Sequence, residues 1–140
     1  MKKHNSRSVA LATATLLAAL GAPAVEAGIT GVTGPSFELW ARSGTIVLGD
    51  GNSLVTWGYS TDPAGMQYPG PTMIVNQGDT VSITLHNGLL LPVSLLFPGQ
   101  AGVTASDCGG SAQGAMTLEA NAAATLNGDG GCVTYTFTAS

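Results

Sequence analysis

The chain has 140 residues, of which 9% are charged and 44% hydrophobic, and its formal net charge is −4. A chain of this length forms at most one domain with a sizeable core. So little charge excludes a disordered tail and a nucleic-acid-binding surface, because both depend on a high charge density. The 20 glycines, with many Thr and Val and few Glu and Lys, favour strands and turns over helices.

The N-terminal segment has the layout of a secretory signal peptide. Three basic residues among the first seven precede an apolar run at residues 9–20, and small residues follow it. The run is too short to span a bilayer, which needs about 20 apolar residues. We therefore predict a signal peptide over residues 1–27, cleaved after Ala24 or Ala27, and a mature domain over residues 28–140.

The mature domain is acidic and is expected outside the cytoplasm. Arg42 is its only basic residue, against seven acidic residues, so its net charge is −6. Such a surface offers little to bind phosphate, so we expect no nucleic-acid partner and no membrane association after signal cleavage. The predicted location is periplasmic or secreted, where two cysteines tend to pair.

Segments with a two-residue period follow one another from residue 36 onward. Val81, Ile83 and Leu85 alternate with polar residues, and residues 133–137 repeat the pattern. Such alternation predicts strands with one buried face. Weaker strand candidates lie at residues 37–42, 45–48, 54–59, 72–76 and 93–97. Turn sequences rich in Gly, Pro, Asn and Asp separate these segments, which predicts an antiparallel sandwich or barrel.

The region at residues 99–131 is glycine-rich and predicts a long loop with one or two weak strands. Cys108 and Cys132 lie 24 residues apart, and a disulfide between them would pin this loop to the last strand. Metal ligation with His86, or two free thiols, are the alternatives. A strong strand candidate ends just before Ser140, so we expect the domain to be incomplete at its C-terminus.

His86 is the only histidine of the mature domain. It falls on the polar face of its predicted strand, beside an Asn-Gly turn, so a solvent-facing or turn-capping role is the first interpretation. A copper-ligand role is the alternative. With one histidine, neither a type 1 copper site nor a Ser/His/Asp triad has strong support. The large aromatic side chains are predicted to lie in the core or at the edges of the sandwich: Trp40, Trp57, Tyr59, Tyr68, Phe97, Tyr135 and Phe137.

One segment resembles a known family. Residues 68–81 read YPGPTMIVNQGDTV, a Pro-Gly-Pro-Thr turn into a strand and a Gly-Asp turn into the next, which is expected to bring the two strands side by side. The segment resembles the N-terminal cupredoxin (plastocyanin-like, type 3) domain of multicopper oxidases. The resemblance continues through residues 82–87, 92–95 and 131–139. It implies an all-β fold, a Greek-key β-sandwich or barrel of the cupredoxin type.

The chain departs from this family at the copper ligands. After the strand near Leu95 the family carries His-Trp-His-Gly, whereas this sequence reads Leu96-Phe97-Pro98-Gly99. Leu96 and Pro98 thus occupy the positions of two ligating histidines, and neither side chain has a donor atom. The family's second histidine pair would fall beyond Ser140. Copper is therefore a cofactor by resemblance only, with His86 as a candidate ligand in this chain.

Two functions remain open at this point. In the first, the chain is an exported cupredoxin-like domain of an oxidoreductase family, without catalytic residues of its own. Its partners would then be the remaining cupredoxin domains, in the same polypeptide or in another chain. In the second, it is a metal-free structural or interaction module that kept the sandwich and lost the copper ligands.

Overall fold

The structure, a computed structural model, describes residues 31–109 and 119–140. Within these ranges the chain is all-β and contains no helix. The predicted signal peptide at residues 1–27 lies outside the described residues, and so do residues 110–118 of the predicted loop.

Seven strands run through the described ranges: β1 (Val32–Thr33), β2 (Ser36–Val47), β3 (Ser53–Ser60), β4 (Met73–Ile74), β5 (Thr80–Asn87), β6 (Thr104–Asp107) and β7 (Cys132–Thr138). The two segments predicted at residues 37–42 and 45–48 form the single strand β2. Gly44 does not interrupt it as a turn. A Cβ at this position would lie 2.7 Å from Cε of Met66, so the glycine instead makes room for that side chain.

Five strands form one sheet in the order β3-β2-β5-β7-β6. β2 pairs antiparallel with β3 but parallel with β5, while β7 pairs antiparallel with both β5 and β6. The prediction of an antiparallel sheet is therefore wrong, because the sheet is mixed. Alternating polarity looks the same in a strand with parallel or antiparallel neighbours, so the sequence pattern could not distinguish them.

The core lies on one face of this sheet. Its centre is Tyr135, Leu85, Ile83 and Val81, each no more than 1% exposed. Alternate residues of β2, β5 and β7 supply most of the remaining buried side chains, as the two-residue period predicts. The opposite face carries polar residues, among which the hydroxyls of Thr84 and Thr134 lie 3.0 Å apart.

A thin second layer covers the core face. It contains a two-stranded parallel sheet of β1 and β4 and partly buried side chains from residues 93–97. The strand predicted at residues 93–97 is absent: only a single bridge joins Val93 to Ala120. The strand predicted at residues 72–76 is reduced to the two residues of β4. The described residues thus form a sandwich-like all-β structure with one large and one small layer.

The side chain of Asn87 ties the segments at residues 89–91 and 120–121 to the end of β5. This side chain is 2% exposed, and its Nδ2 lies within hydrogen-bond distance of three carbonyl oxygens, those of Leu91 (2.8 Å), Ala120 (3.1 Å) and Asn121 (3.0 Å). Its Oδ1 accepts from the N–H of Leu89 at 2.8 Å. One buried amide therefore satisfies backbone groups of both segments that cross this end of the sheet.

The family-like Gly-Asp turn joins the two layers. Gly78 has a φ of +88°, and its N–H donates to the carbonyl of Ala139 at 2.8 Å. Asp79 Oδ2 accepts from the N–H of Asn76 at 2.9 Å. The strands on either side of this turn, β4 and β5, lie in different sheets. The expectation that the turn brings them side by side is therefore wrong.

Candidate functional site

The positions that match the family's copper ligands hold apolar side chains at the rim of the core. Leu96 is 64% exposed, Pro98 is also exposed, and neither contains a donor atom. Phe97 between them packs against the rings of Tyr135 and Phe137 at centroid distances of 5.5 and 4.9 Å. The residues present at these positions do not fit a copper ion.

His86 lies on the opposite, polar face of the five-stranded sheet. Its ring stacks on Trp40 at a centroid distance of 4.9 Å, and its Nε2 lies 3.5 Å from Oε2 of Glu38. That separation suits an ion pair, but Nε2 has no hydrogen-bond partner among the residues that the structure describes. In the described parts of the chain no three His, Cys, Asp or Glu side chains cluster in a way that could hold a metal ion.

Cys108 and Cys132 form a disulfide, with their Cα atoms 5.6 Å apart. The bond ties the end of β6 to the start of β7. Cys132 lies directly across from His86 in the sheet register. A disulfide sulfur is not a thiolate, however, and it is the thiolate that binds metal ions.

Arg42 has a structural role that sequence reasoning missed. It is 7% exposed, and its Nε donates to the carbonyl of Pro63 at 2.8 Å. Its Nη1 donates to the carbonyls of Asn127 and Gly128 at 2.6 and 2.7 Å. The guanidinium therefore joins two loops to β2. The available signal was a lone arginine placed inside an alternating strand, where an unpaired charge is costly.

Asn127 reinforces the same junction. It adopts the left-handed conformation with a φ of 60°, which Asn tolerates better than most residues. Its Oδ1 accepts from the N–H of Ser43 at 2.8 Å, and its Nδ2 donates to the carbonyl of Ser43 at 3.1 Å. A side-chain amide thus makes two hydrogen bonds to the backbone of β2, close to the Arg42 contacts.

Beyond this junction β2 and β3 continue as a paired hairpin, here called the β2–β3 hairpin (residues 43–57). The two strands stay in register as far as the pair Val47 and Ser53. The connecting turn is closed by the N–H of Leu48, which donates to the carbonyl of Asn52 at 2.7 Å, and Gly51 supplies a φ of +85°. Hydrogen bonds from the backbone and side chain of Asn52 lower the pKa of Asp50.

The β2–β3 hairpin is apolar and exposed. Val47 is 74% exposed, Val55 70% and Trp57 51%, and their alternating positions place them on one face. On the other face Leu54 is 50% exposed.

The prediction that aromatic side chains lie in the core or at its edges holds for Phe97, Tyr135 and Phe137, which pack together. Trp57, on the edge strand β3, and Tyr68 are more than half exposed.

The outer edge of the hairpin lacks the features that protect sheet edges. β3 is the first strand of the sheet and has no neighbour beyond it among the described residues. Its sequence, SLVTWGYS, contains no charged residue and no proline. Natural edge strands are blunted by lysine, proline, bulges or short length, because unpaired backbone groups attract other strands. The other edge strand, β6, has only four residues and includes Asp107.

Two tyrosines, the buried Tyr135 and the partly buried Tyr59, have perturbed acidities. Burial raises the pKa of Tyr135 above 10.0, the hydrogen bond from the Leu95 N–H opposes this, and the charges of Tyr59 and Glu119 add to it. Burial also raises the pKa of Tyr59. The Leu95 N–H lies 3.2 Å from the Tyr135 hydroxyl, and the Tyr59 hydroxyl lies 3.5 Å from the Ser94 carbonyl. These phenols position the second layer.

Comparison with protein-family models, with curated proteins and with solved structures found no match. The described residues include no helix of the length and apolarity that a bilayer span requires.

Proposed function

We propose that this chain is an exported β-sandwich module of the Greek-key cupredoxin type that binds another β domain through its β2–β3 hairpin. The proposal gives the chain no copper site of its own. The single observation that carries it is the hairpin, which presents exposed apolar side chains beside an unprotected strand edge. Large exposed apolar surfaces on small soluble proteins mark interaction sites.

The energetics indicate what the partner must offer. Full burial of one large apolar side chain is worth about 1.5–3 kcal/mol, so completing the burial of Val47, Val55 and Trp57 would contribute about 3–6 kcal/mol. Association costs at least about 4 kcal/mol in lost rigid-body freedom. Side-chain burial alone therefore barely offsets that cost. A partner that also pairs its backbone with β3 supplies the additional favourable interactions.

These requirements favour a second β domain with an uncharged edge strand. By resemblance, the partner would be another cupredoxin domain, in the same polypeptide or in a separate chain. The signal-like sequence at residues 1–27, the disulfide between Cys108 and Cys132 and the net charge of −6 in the mature domain support a periplasmic or secreted location, away from nucleic acid.

A second candidate function is copper binding shared with such a partner, as part of an oxidoreductase. The resemblance of residues 68–81 to multicopper oxidases is the observation that favours it. In that case copper-ligating histidines must come from outside the described residues, because Leu96 and Pro98 supply no ligand. His86 lies on the opposite face of the sheet from the side chains that pack around Phe97.

Site-specific photo-cross-linking tests the proposed function. Val55 is replaced by a photoreactive phenylalanine derivative in the cell that makes the protein, and adducts are identified by mass spectrometry. We expect one discrete adduct with a β domain. The control replaces Leu90, which is 53% exposed but lies outside the hairpin, and is expected to give no such adduct. Equal or absent cross-linking at the two positions would refute the proposal, and an adduct with a second copy would make the partner this chain itself.

A further inference from the structure

An apolar groove opens between the two layers at the end of the molecule opposite the hairpin turn. Its volume is about 290 Å³. The five-stranded sheet forms its floor, β4 and Val75 form one wall, and the segment after Leu95 forms the other. The groove is lined by Phe37, Met73, Val75, Val81, Ile83, Leu96, Phe97, Pro98, Gln100, Phe137 and Ala139. None of these side chains is charged, so the groove offers no partner to a charged ligand.

One wall of the groove is a strand edge that has no partner strand among the described residues. β4 pairs only with β1 in its sheet, and the N–H of Gly34 donates to the carbonyl of Ile74 at 2.9 Å. Successive residues of a strand direct their backbone groups to opposite sides. The N–H and C=O of Met73 therefore point away from β1, and so does the N–H of Val75, which lies across the peptide bond from the Ile74 carbonyl. Both side chains line the groove, so this free edge and the apolar floor belong to the same site.

The free strand edge and the apolar floor together limit the class of ligand that the groove can bind. A small apolar molecule would fill the groove but leave the backbone groups of Met73 and Val75 unpaired. An extended polypeptide satisfies both requirements, because it pairs with a strand edge and places every second side chain on one face. A volume of about 290 Å³ lies at the lower limit for pockets that hold drug-sized ligands, and it suits a few aliphatic side chains.

We propose that this groove, the β4 groove, is a strand-acceptor site. An uncharged, extended segment of another polypeptide pairs with β4 at Met73 and Val75, and its alternate apolar side chains enter the groove. This inference goes beyond the proposed function, because the β4 groove and the β2–β3 hairpin are separate surfaces. Either can fail without the other.

The test is a nuclear magnetic resonance titration of the isotope-labelled full chain. The probe is a peptide with the sequence of β5 (Thr80–Asn87), TVSITLHN, which alternates apolar and polar residues and carries no acidic or basic group other than histidine. The control peptide has the same composition in the order TSTHVILN, which destroys the alternation. We expect the first peptide to shift the amide signals of Met73 and Val75 and to slow their hydrogen exchange, and the second to have little effect.

A matched pair of variants locates the site. Leu96→Asp places a carboxylate in the groove, while Leu91→Asp places one on a similarly exposed side chain of the same connection that does not line it. Both side chains are more than half exposed, so both variants should fold. We expect Leu96→Asp to weaken peptide binding about tenfold or more, because a charge is costly in an apolar site. Leu91→Asp should leave the affinity unchanged.

Three results would overturn the inference. Equal binding of the two peptides would show that alternation is not recognised. Signal changes confined to β3 would place the peptide on the hairpin edge instead. In the third, a small apolar molecule such as cyclohexanol saturates the groove, while the first peptide leaves the signals of Met73 and Val75 unaffected. That result would make the groove a small-molecule pocket.

Discussion

Replacing Arg42 by leucine removes the buried cation that joins β2 to its two neighbouring loops. The guanidinium makes three hydrogen bonds, to the carbonyls of Pro63, Asn127 and Gly128. Leucine keeps apolar contact with the surroundings but donates nothing. All three carbonyls then need new partners, and the only immediate source is water entering the base of the hairpin.

The expected loss of stability is the difference between two effects, the hydrogen bonds that are removed and the desolvation cost that is relieved. Hydrogen bonds that involve a charged group contribute about 1.5–3 kcal/mol each, so three of them give roughly 4–9 kcal/mol. Desolvation of the buried guanidinium offsets several kcal/mol of this. We expect Arg42→Leu to lower the free energy of unfolding by about 3 kcal/mol, a large share of the 5–15 kcal/mol typical of a domain. Arg42→Lys keeps the charge but not the planar fork, and about half the loss is expected.

Urea unfolding followed by tryptophan fluorescence measures this difference, with the disulfide intact in every sample. The midpoint should fall while the slope m stays constant, because the surface exposed on unfolding is nearly the same. A change within about 0.5 kcal/mol is what a surface substitution gives. Such a result for Arg42→Leu would refute the role assigned to this side chain.

Three further predictions concern the second layer and the disulfide. Tyr135→Phe leaves the Leu95 N–H without its acceptor and should cost about 1–2 kcal/mol in urea unfolding; an unchanged midpoint would contradict this. Because the pKa of Tyr135 is raised on folding, its contribution to stability is fully present below pH 10 and is lost as the pH rises through the folded pKa. As the pH rises above 10, the urea midpoint should therefore fall in the parent and fall less in Tyr135→Phe. Parallel plots of midpoint against pH for the two proteins would contradict this expectation. Replacing both Cys108 and Cys132 by alanine should lower stability by about 3 kcal/mol, because their 24-residue separation closes a long loop, and a reductant should change the parent but not the variant.

The strands were predictable where one face is buried and the other polar. β5 and β7 have this property along their whole length, and their burial alternates residue by residue. The thin second layer was not predictable in the same way. β4 keeps two paired residues and residues 93–97 none beyond one bridge, because pairing there depends on which neighbours are present rather than on local periodicity. The parallel pairing of β2 with β5 likewise left no local signature.

The candidate sites depend on side chains that sequence patterns treat alike. The polar-face placement of His86 follows from alternation in β5, but its stacking on Trp40 depends on register across two strands. In the sequence Trp57 cannot be told from an aromatic residue of the core, and only the position of β3 at the sheet edge explains its exposure. A lone arginine inside an alternating strand indicates that Arg42 needs partners, but the loop carbonyls that serve as those partners lie far away in the chain and are not encoded around residue 42.

Copper content distinguishes a protein-binding module from a copper protein most directly. The full chain is purified after copper-supplemented growth, beside a His86→Ala variant, and both are subjected to elemental analysis. We predict no copper above the buffer blank in either sample, because Leu96 and Pro98 have no metal-binding atom in their side chains and both cysteines are joined in a disulfide. Near-equimolar copper in the parent, lost in His86→Ala, would contradict that prediction and place a metal site at His86.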